Sequence, residues 1–420
     1  MVWALKSQPA RKPDAQPLLA GLDLNGTRAR GVQGTNAVVT RVLPLDGAYL
    51  DLPMILSLQG RKPQVGRPGS ALCRQSPHLT CSNFLPYLGE QRTWSIGRHQ
   101  LDAGRAMVHV FERLLPACQT SKGVVLALPA YLSPTQASFL APLADKARFP
   151  LLGSVRAPLA LAHSAFAADP WAGPALVFDI DDHALSATTI VADGEHLWVQ
   201  NTVVWTNVSL RAWQNRLLDG VAERCIHQCR RDPRESPVAE QSLYEQIEAA
   251  LDAWGHGKVV ELHVQTSAWY HNLLFRPEEI LALCRRLVQQ MLEQVQAQTS
   301  IVGVRRILVT RAAARLPGLT TALEEWLQRS AGAVVEATPA ASSDDFGEDL
   351  IPGGNEPLRL TVLAPDAAAR AAHHLALHIQ NHALPRGHFD YSLAAPRTPT
   401  SAAPTVPPAR PSFRILSPDS

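Results

Sequence analysis

The chain has 420 residues, with 39 Lys and Arg against 37 Asp and Glu and a formal charge of +2. That balance gives no electrostatic case for a nucleic-acid surface or an acidic substrate, and the length suits two packed cores. Six scattered cysteines do not form a disulfide framework. No run of about 18 apolar residues exists to cross a membrane, and the start lacks the apolar core of a signal peptide. A reduced, cytoplasmic setting is therefore expected, with neither nucleic acid nor membrane as partner.

In chain order, residues 1–17 are polar and proline-containing and read as a flexible arm. Residues 18–43, LLAGLDLNGTRARGVQGTNAVVTRVL, give an apolar strand ending at Asp23, a turn at Asn25-Gly26 and a second strand. The unbroken apolar run GVVLALP (123–129) predicts a strand covered on both faces. SPTQASFLAPLADKA opens with an N-cap serine followed by proline, which predicts a helix start. Residues 174–204, PALVFDIDDHALSATTIVADGEHLWVQNTVV, repeat the plan of the first block, with Asp179 ending the first strand.

From about 207 to 299 the three- and four-residue apolar spacing predicts helices, interrupted by a β-rich piece at 258–265. VRRILVTRAAARLPGLTTALEEWLQ then reads as strand, turn and helix, and a polar, flexible segment is expected at 338–349. PDAAARAAHHLALHIQ reads as a last helix, on whose surface His373 and His374 are expected. Residues 385–420 form a tail rich in Pro, Ser, Thr and Ala from Pro396 on, which is expected to be disordered.

These elements, in this order, resemble the nucleotide-binding domain of the seventy-kilodalton heat-shock (DnaK-type) chaperones, within the actin and sugar-kinase superfamily. Pro129-Ala130-Tyr131, Gln136 and Pro158 fall on positions of that family's connecting segment, and Pro365-Asp366 on its closing helix. The first phosphate motif falls on Asp23-Leu24-Asn25-Gly26-Thr27, the second on FDIDDHALSATTI, and the adenosine motif on ILVTRAAARLPGL, where Arg315 and Pro317 match. The likeness covers roughly residues 18–384. It implies an α/β, bilobed actin-like ATPase fold with two duplicated ribonuclease-H-like cores: lobe I over 18–170, and lobe II over 171–384 with an insert at about 220–300. The family's peptide-binding β-sandwich and lid have no counterpart in the sequence.

The resemblance also implies where nucleotide would sit, and the chemistry there is eroded. Asp23, Asn25, Gly26 and Thr27 form a turn that suits either a phosphate with magnesium or an ordinary hairpin. The family glycines of the second motif fall on Asp181, Asp182 and His183. A carboxylate about 5 Å from a phosphate oxygen costs roughly 3 kcal/mol at an effective dielectric near 20. The expected lysine falls near Leu85 and the expected glutamate on Ala157, while paired glycines fall on Ser209 and Leu210. Glu245 stands beside the adenine-clamping position, the family's lysine and arginine fall on Glu248 and Ala249, and the adenosine glycines become Thr310 and Arg311.

If nucleotide binds, its contacts are Asp23, Asn25, Gly26, Thr27, Asp179, Asp181, Thr310 and Arg311, with Asp23 and Asp179 facing magnesium and serving catalysis. The leading expectation is a pseudo-ATPase scaffold acting on protein partners, with ATP or ADP and magnesium doubtful. The alternatives are a divergent ATPase and, further off, an actin-like polymer. Three other groupings compete. Asp179, Asp181 and Asp182 read as a solvated acidic turn or a divalent-cation site. Cys225, His227 and Cys229 read as core cysteines rather than zinc ligands, because helix geometry turns residue 227 away from the other two. Cys73, His78 and Cys81 lie in a predicted loop where zinc has a weak case.

Overall fold

The computed structural model describes residues 17–97, 99–194, 196–298, 304, 306–336, 359–381, 384–390 and 392–394. Residues 1–16 of the expected arm, the 338–349 segment and the tail from Pro396 lie outside the described residues. The fold is mixed α/β and rests on two large sheets. In the first, β1 (Leu19–Leu24), β2 (Arg28–Gly34) and β3 (Thr40–Leu43) form an antiparallel meander. The strands β4 (Gly123–Leu128) and β5 (Leu151–Arg156) extend it from β1 in parallel. In the second, β6 (Gly173–Ile180), β7 (Leu185–Ala192) and β8 (His196–Trp205) make the meander. Here β9 (Arg306–Val309) and β10 (Arg359–Val362) extend it from β6 in parallel. Strand order and polarity are thus the same in both sheets.

The hydrophobic patterning explains why these segments pack as they do. Every residue of β4 is buried, as its unbroken apolar run requires for a strand covered on both faces. Helix α1 (Ala103–Cys118) starts where the Asp102 carboxylate accepts from Arg105 N–H, and its apolar face covers the first sheet. Ser133 is the expected N-cap and Gln136 completes a capping box with it, although that helix ends at Ser138 and a second covers Leu140–Lys146. Beyond α2 (Ala157–Ala168), the helices α3 (Leu210–Cys229), α4 (Pro237–Gly255), α5 (Pro277–Gln298) and α6 (Leu319–Glu336) share a core with the second sheet. Trp205 and Trp213 are buried in that core, whereas Trp198 is only half-buried on β8. The β-rich interruption is a hairpin, Val260–Gln265 with Tyr270–Phe275.

A third core lies between the sheets. There α2 packs against α7 (Ala367–Gln380), and both bury side chains with Leu19 and Val125 of the first sheet and Ala175 and Val177 of the second. The halves are therefore held in a fixed relation by apolar burial.

Three expectations change. His373 is not on a helix surface: it is 1% exposed and its Nε2 lies 3.2 Å from the Gly34 carbonyl, because α7 seats directly on β1 and β2. The structured chain also runs past residue 384. β11 (Gly387–Phe389) pairs in parallel with β5, and β12 (Ser392–Ala394) pairs antiparallel with β8, so one short segment edges both sheets. Cys81 is buried in the strand Thr80–Ser82 rather than lying in a loop. All six cysteines are free thiols.

Candidate functional site

The two sheets bring their first hairpin turns face to face, and the turns are built alike. In the first, Asn25 N–H donates to the Arg28 carbonyl (3.0 Å), while Asn25 Oδ1 accepts from the N–H groups of Thr27 and Arg28, both at 3.0 Å. In the second, Asp181 N–H donates to the Ala184 carbonyl (3.0 Å), while Asp181 Oδ1 accepts from His183 (2.8 Å) and Ala184 (3.0 Å). Asn25 and Asp181 are thus equivalent residues, each folding its own turn through a side-chain oxygen. The Asn25-Gly26 pair does not form the positive-φ hairpin turn its sequence suggests, because neither residue has a positive φ.

Gly26 serves a different purpose, that of close approach. Asp181 Oδ2 reaches across and accepts from Gly26 N–H (2.6 Å) and from the Tyr131 hydroxyl (2.6 Å). A Cβ at Gly26 would stand 2.8 Å from that oxygen and 3.1 Å from the tyrosine oxygen. The link is returned one residue on. Asp182 N–H donates to Thr27 Oγ1 (2.9 Å), and that hydroxyl lies 2.9 Å from Asp182 Oδ1. The Asp181 carbonyl also accepts from Leu210 N–H (2.9 Å), which ties the start of α3 to the same turn. The result is a clasp between the halves, with a carboxylate held by four donors. Asp181 is 3% exposed, which corrects the expectation of a solvated acidic turn. Charge-assisted hydrogen bonds of this kind are the strong ones, and they satisfy a buried anion without a counter-ion.

On one side of the clasp, Asp23 and Asp179 face a cavity of only about 20 Å³ that Thr310 and Arg311 also line. Burial pushes Asp179 up to about 7, and the neighbouring Asp23 carboxylate adds to the rise; Thr310 Oγ1 donates to its Oδ1 at 2.8 Å. Burial likewise pushes Asp23 up to about 6, against the pull of Arg28 and Arg30, and Asp182 up to about 6, against the pull of Arg211. These groups hold protons that the unfolded chain releases above its own pKa of about 3.9. Their share of stability is complete below pH ~4 and is lost as pH rises through 6 to 7.

Asp179→Asn is expected to remove the Asp179 share of that pH dependence, on the order of 3 kcal/mol between pH 4 and 8. The substitution keeps the Oδ1 acceptor for Thr310 and for Ile180 N–H. Denaturant titrations across that pH range measure the effect, and an unchanged slope would contradict the assignment.

The position expected to hold adenosine is bridged by side chains. Arg311 Nη2 lies 2.7 Å from Asp252 Oδ1, and Arg315 Nη1 lies 2.8 Å from Glu248 Oε1. Both acids belong to α4, so arginines of the β9 turn meet carboxylates where the resemblance calls for cations on the helix. Leu85, at the expected lysine position, is 1% exposed inside the first core. Ser209 Oγ caps α3 by accepting from Ala212 N–H.

All eight residues named from the sequence thus border the seam between the halves, yet they divide by role. Gly26, Thr27 and Asp181 form the clasp, with Asn25 shaping its turn, and Asp23, Asp179 and Thr310 lie beneath it. Arg311 adds to the lining of the small cavity while its guanidinium pairs with α4. Sequence reasoning did not assign roles to Tyr131, Arg211 and Asp252, and it read Asp182 as part of an acidic turn or cation site rather than as a partner of Thr27. Aligning the two blocks at Asp23 and Asp179 is the signal that would have set Asn25 against Asp181. Among the described residues, no group of three or more His, Cys, Asp or Glu side chains is arranged to hold a metal ion, and no helix is long and apolar enough to cross a membrane. Cys225 and Cys229 lie with sulfurs 3.5 Å apart on α3. A scan against protein-family models finds no match, and neither does a search of curated proteins.

Proposed function

We propose that this chain is a heat-shock-70-like nucleotide-binding fold, bilobed in the actin manner, whose phosphate-binding turn is occupied by its own Asp181 carboxylate. It works as a pseudo-ATPase scaffold in the cytoplasm, engaging protein partners rather than hydrolysing ATP. One observation carries this reading: the Asp181 carboxylate occupies the Gly26 N–H and Tyr131 hydroxyl, the donors an incoming phosphate would need. An anion already seated there at 2.6 Å leaves neither the donors nor the space for a second one. The arginine bridges from the β9 turn to α4 support it by closing the adenosine side in the same way. So does the matched strand order of the two sheets, which suits a duplicated fold.

The test is to remove the internal anion. Asp181→Gly frees the clasp donors, and inorganic phosphate is expected to raise the melting temperature of this variant more than that of the wild-type chain. An equal rise in both proteins would overturn the reading.

A further inference from the structure

On the other side of the clasp lies a cavity of about 1010 Å³, walled by Thr27, Arg28 and Arg92 from the first half and by Asp182, Arg211 and Tyr244 from the second. Its size is that of a small-molecule site, for which about 300–1,000 Å³ is usual. We propose that this cavity binds a small multivalent oxyanion, a polyphosphate or polycarboxylate, held by the guanidinium groups of Arg28, Arg92 and Arg211.

Charge pairing leads to this ligand class. Five arginines and four carboxylates line the cavity, but the carboxylates are largely committed elsewhere. Asp51 receives Arg30 through Nε (2.6 Å) and Nη2 (2.8 Å), and Glu248 receives Arg315 (2.8 Å); neither of those arginines lines the cavity. Glu245 accepts from the Gln241 amide at 2.7 Å, and Asp182 is bound into the clasp. Among the arginines, Arg67 is paired with Asp46 (4.0 Å) as well as stacked on Tyr49, and Arg74 donates to Asn215 Oδ1 and stacks on Tyr244.

Three guanidinium groups remain. Arg28 is 15% exposed in its side chain, and its buried Nε has no hydrogen-bond partner. Its nearest carboxylate is Asp51 at 3.8 Å, which Arg30 already holds through both oxygens. Arg211 approaches Asp182 no closer than 3.7 Å. Arg92 stacks at 4.0 Å on Tyr87 and has no ion-pair partner among the described residues. An almost buried guanidinium without an acceptor is costly, and an oxyanion supplies the acceptors its planar fork is built for. Placement on both walls calls for an anion with more than one charged group.

Calorimetric titration of the full chain with inorganic tripolyphosphate tests this, with citrate as a parallel arm that separates a phosphate from a carboxylate ligand. Saturable binding in either arm is expected. It should weaken by about tenfold or more in Arg28→Gln/Arg211→Gln, weaken measurably in Arg92→Gln, and stay unchanged in Arg329→Gln, an exposed arginine of α6. Because Arg92 is exposed, its variant keeps the test valid if the double variant folds poorly. No saturable binding in either arm, or binding by both the Arg28→Gln/Arg211→Gln and the Arg92→Gln variants as tight as that of the wild-type chain, would overturn the proposal. An ATP titration that tightens with magnesium and is lost in Asp179→Ala would count against the pseudo-ATPase reading instead.

Discussion

Asp181→Asn is expected to lower the unfolding free energy by about 3 kcal/mol, although it changes a single atom. Both carboxylate oxygens face donors: Oδ1 meets the N–H groups of His183 and Ala184, and Oδ2 meets Gly26 N–H and the Tyr131 hydroxyl. An asparagine amide has one acceptor oxygen, so its NH₂ must confront one of these pairs in either orientation. The tyrosine hydroxyl can turn and accept, but a backbone N–H cannot. One buried donor is left unpaired and the charge that strengthened the other bonds is gone. The clasp joins residues far apart in sequence, so its loss should also loosen the contact between the halves. A shift of the denaturant midpoint measures the cost. A variant within about 0.5 kcal/mol of the wild type would mean that the clasp carries no stability.

Gly21→Ala is expected to cost at least about 3 kcal/mol, at the upper end for overpacking. Gly21 lies in β1 beneath α7, where an added Cβ would stand 2.1 Å from His373 N and 2.2 Å from the Ala369 carbonyl oxygen. These are helix backbone atoms and have no rotamer by which to move aside. The helix would have to lift from the sheet, opening the core that α7 shares with α2 and breaking the His373–Gly34 contact. Denaturant unfolding of the purified variant reads the loss, and a fully stable alanine variant would contradict the seating of α7 on β1.

Much of the architecture was legible because its cause is local. The apolar run of β4, the Ser133 N-cap and the helical periodicity over 210–298 are short-range patterns, and each formed where the sequence placed it. The clasp was not legible in the same way. Asp181 and Asp182 read as repulsive toward an external phosphate, which is sound electrostatics for a solvated turn. What the sequence hides is that Asp181 reaches across to the Gly26 N–H of the opposite turn and to the Tyr131 hydroxyl, and so becomes the anion itself. His373 was misplaced for a related reason: surface exposure of a helical residue depends on what packs against it, and Gly21, which lets α7 come so close, lies in a distant strand. The edging of the two sheets by residues 387–389 and 392–394 is also a long-range pairing, and the proline-rich composition from Pro396 on masked it.

Phosphate release from magnesium-ATP by the purified 420-residue chain tests the central claim most directly. With the Gly26 donor held by Asp181, release should be no faster than that of the Asp23→Ala/Asp179→Ala double variant, which removes both carboxylates able to face a metal. Turnover by the wild-type chain above that of the double variant would contradict a phosphate turn occupied by the protein's own carboxylate.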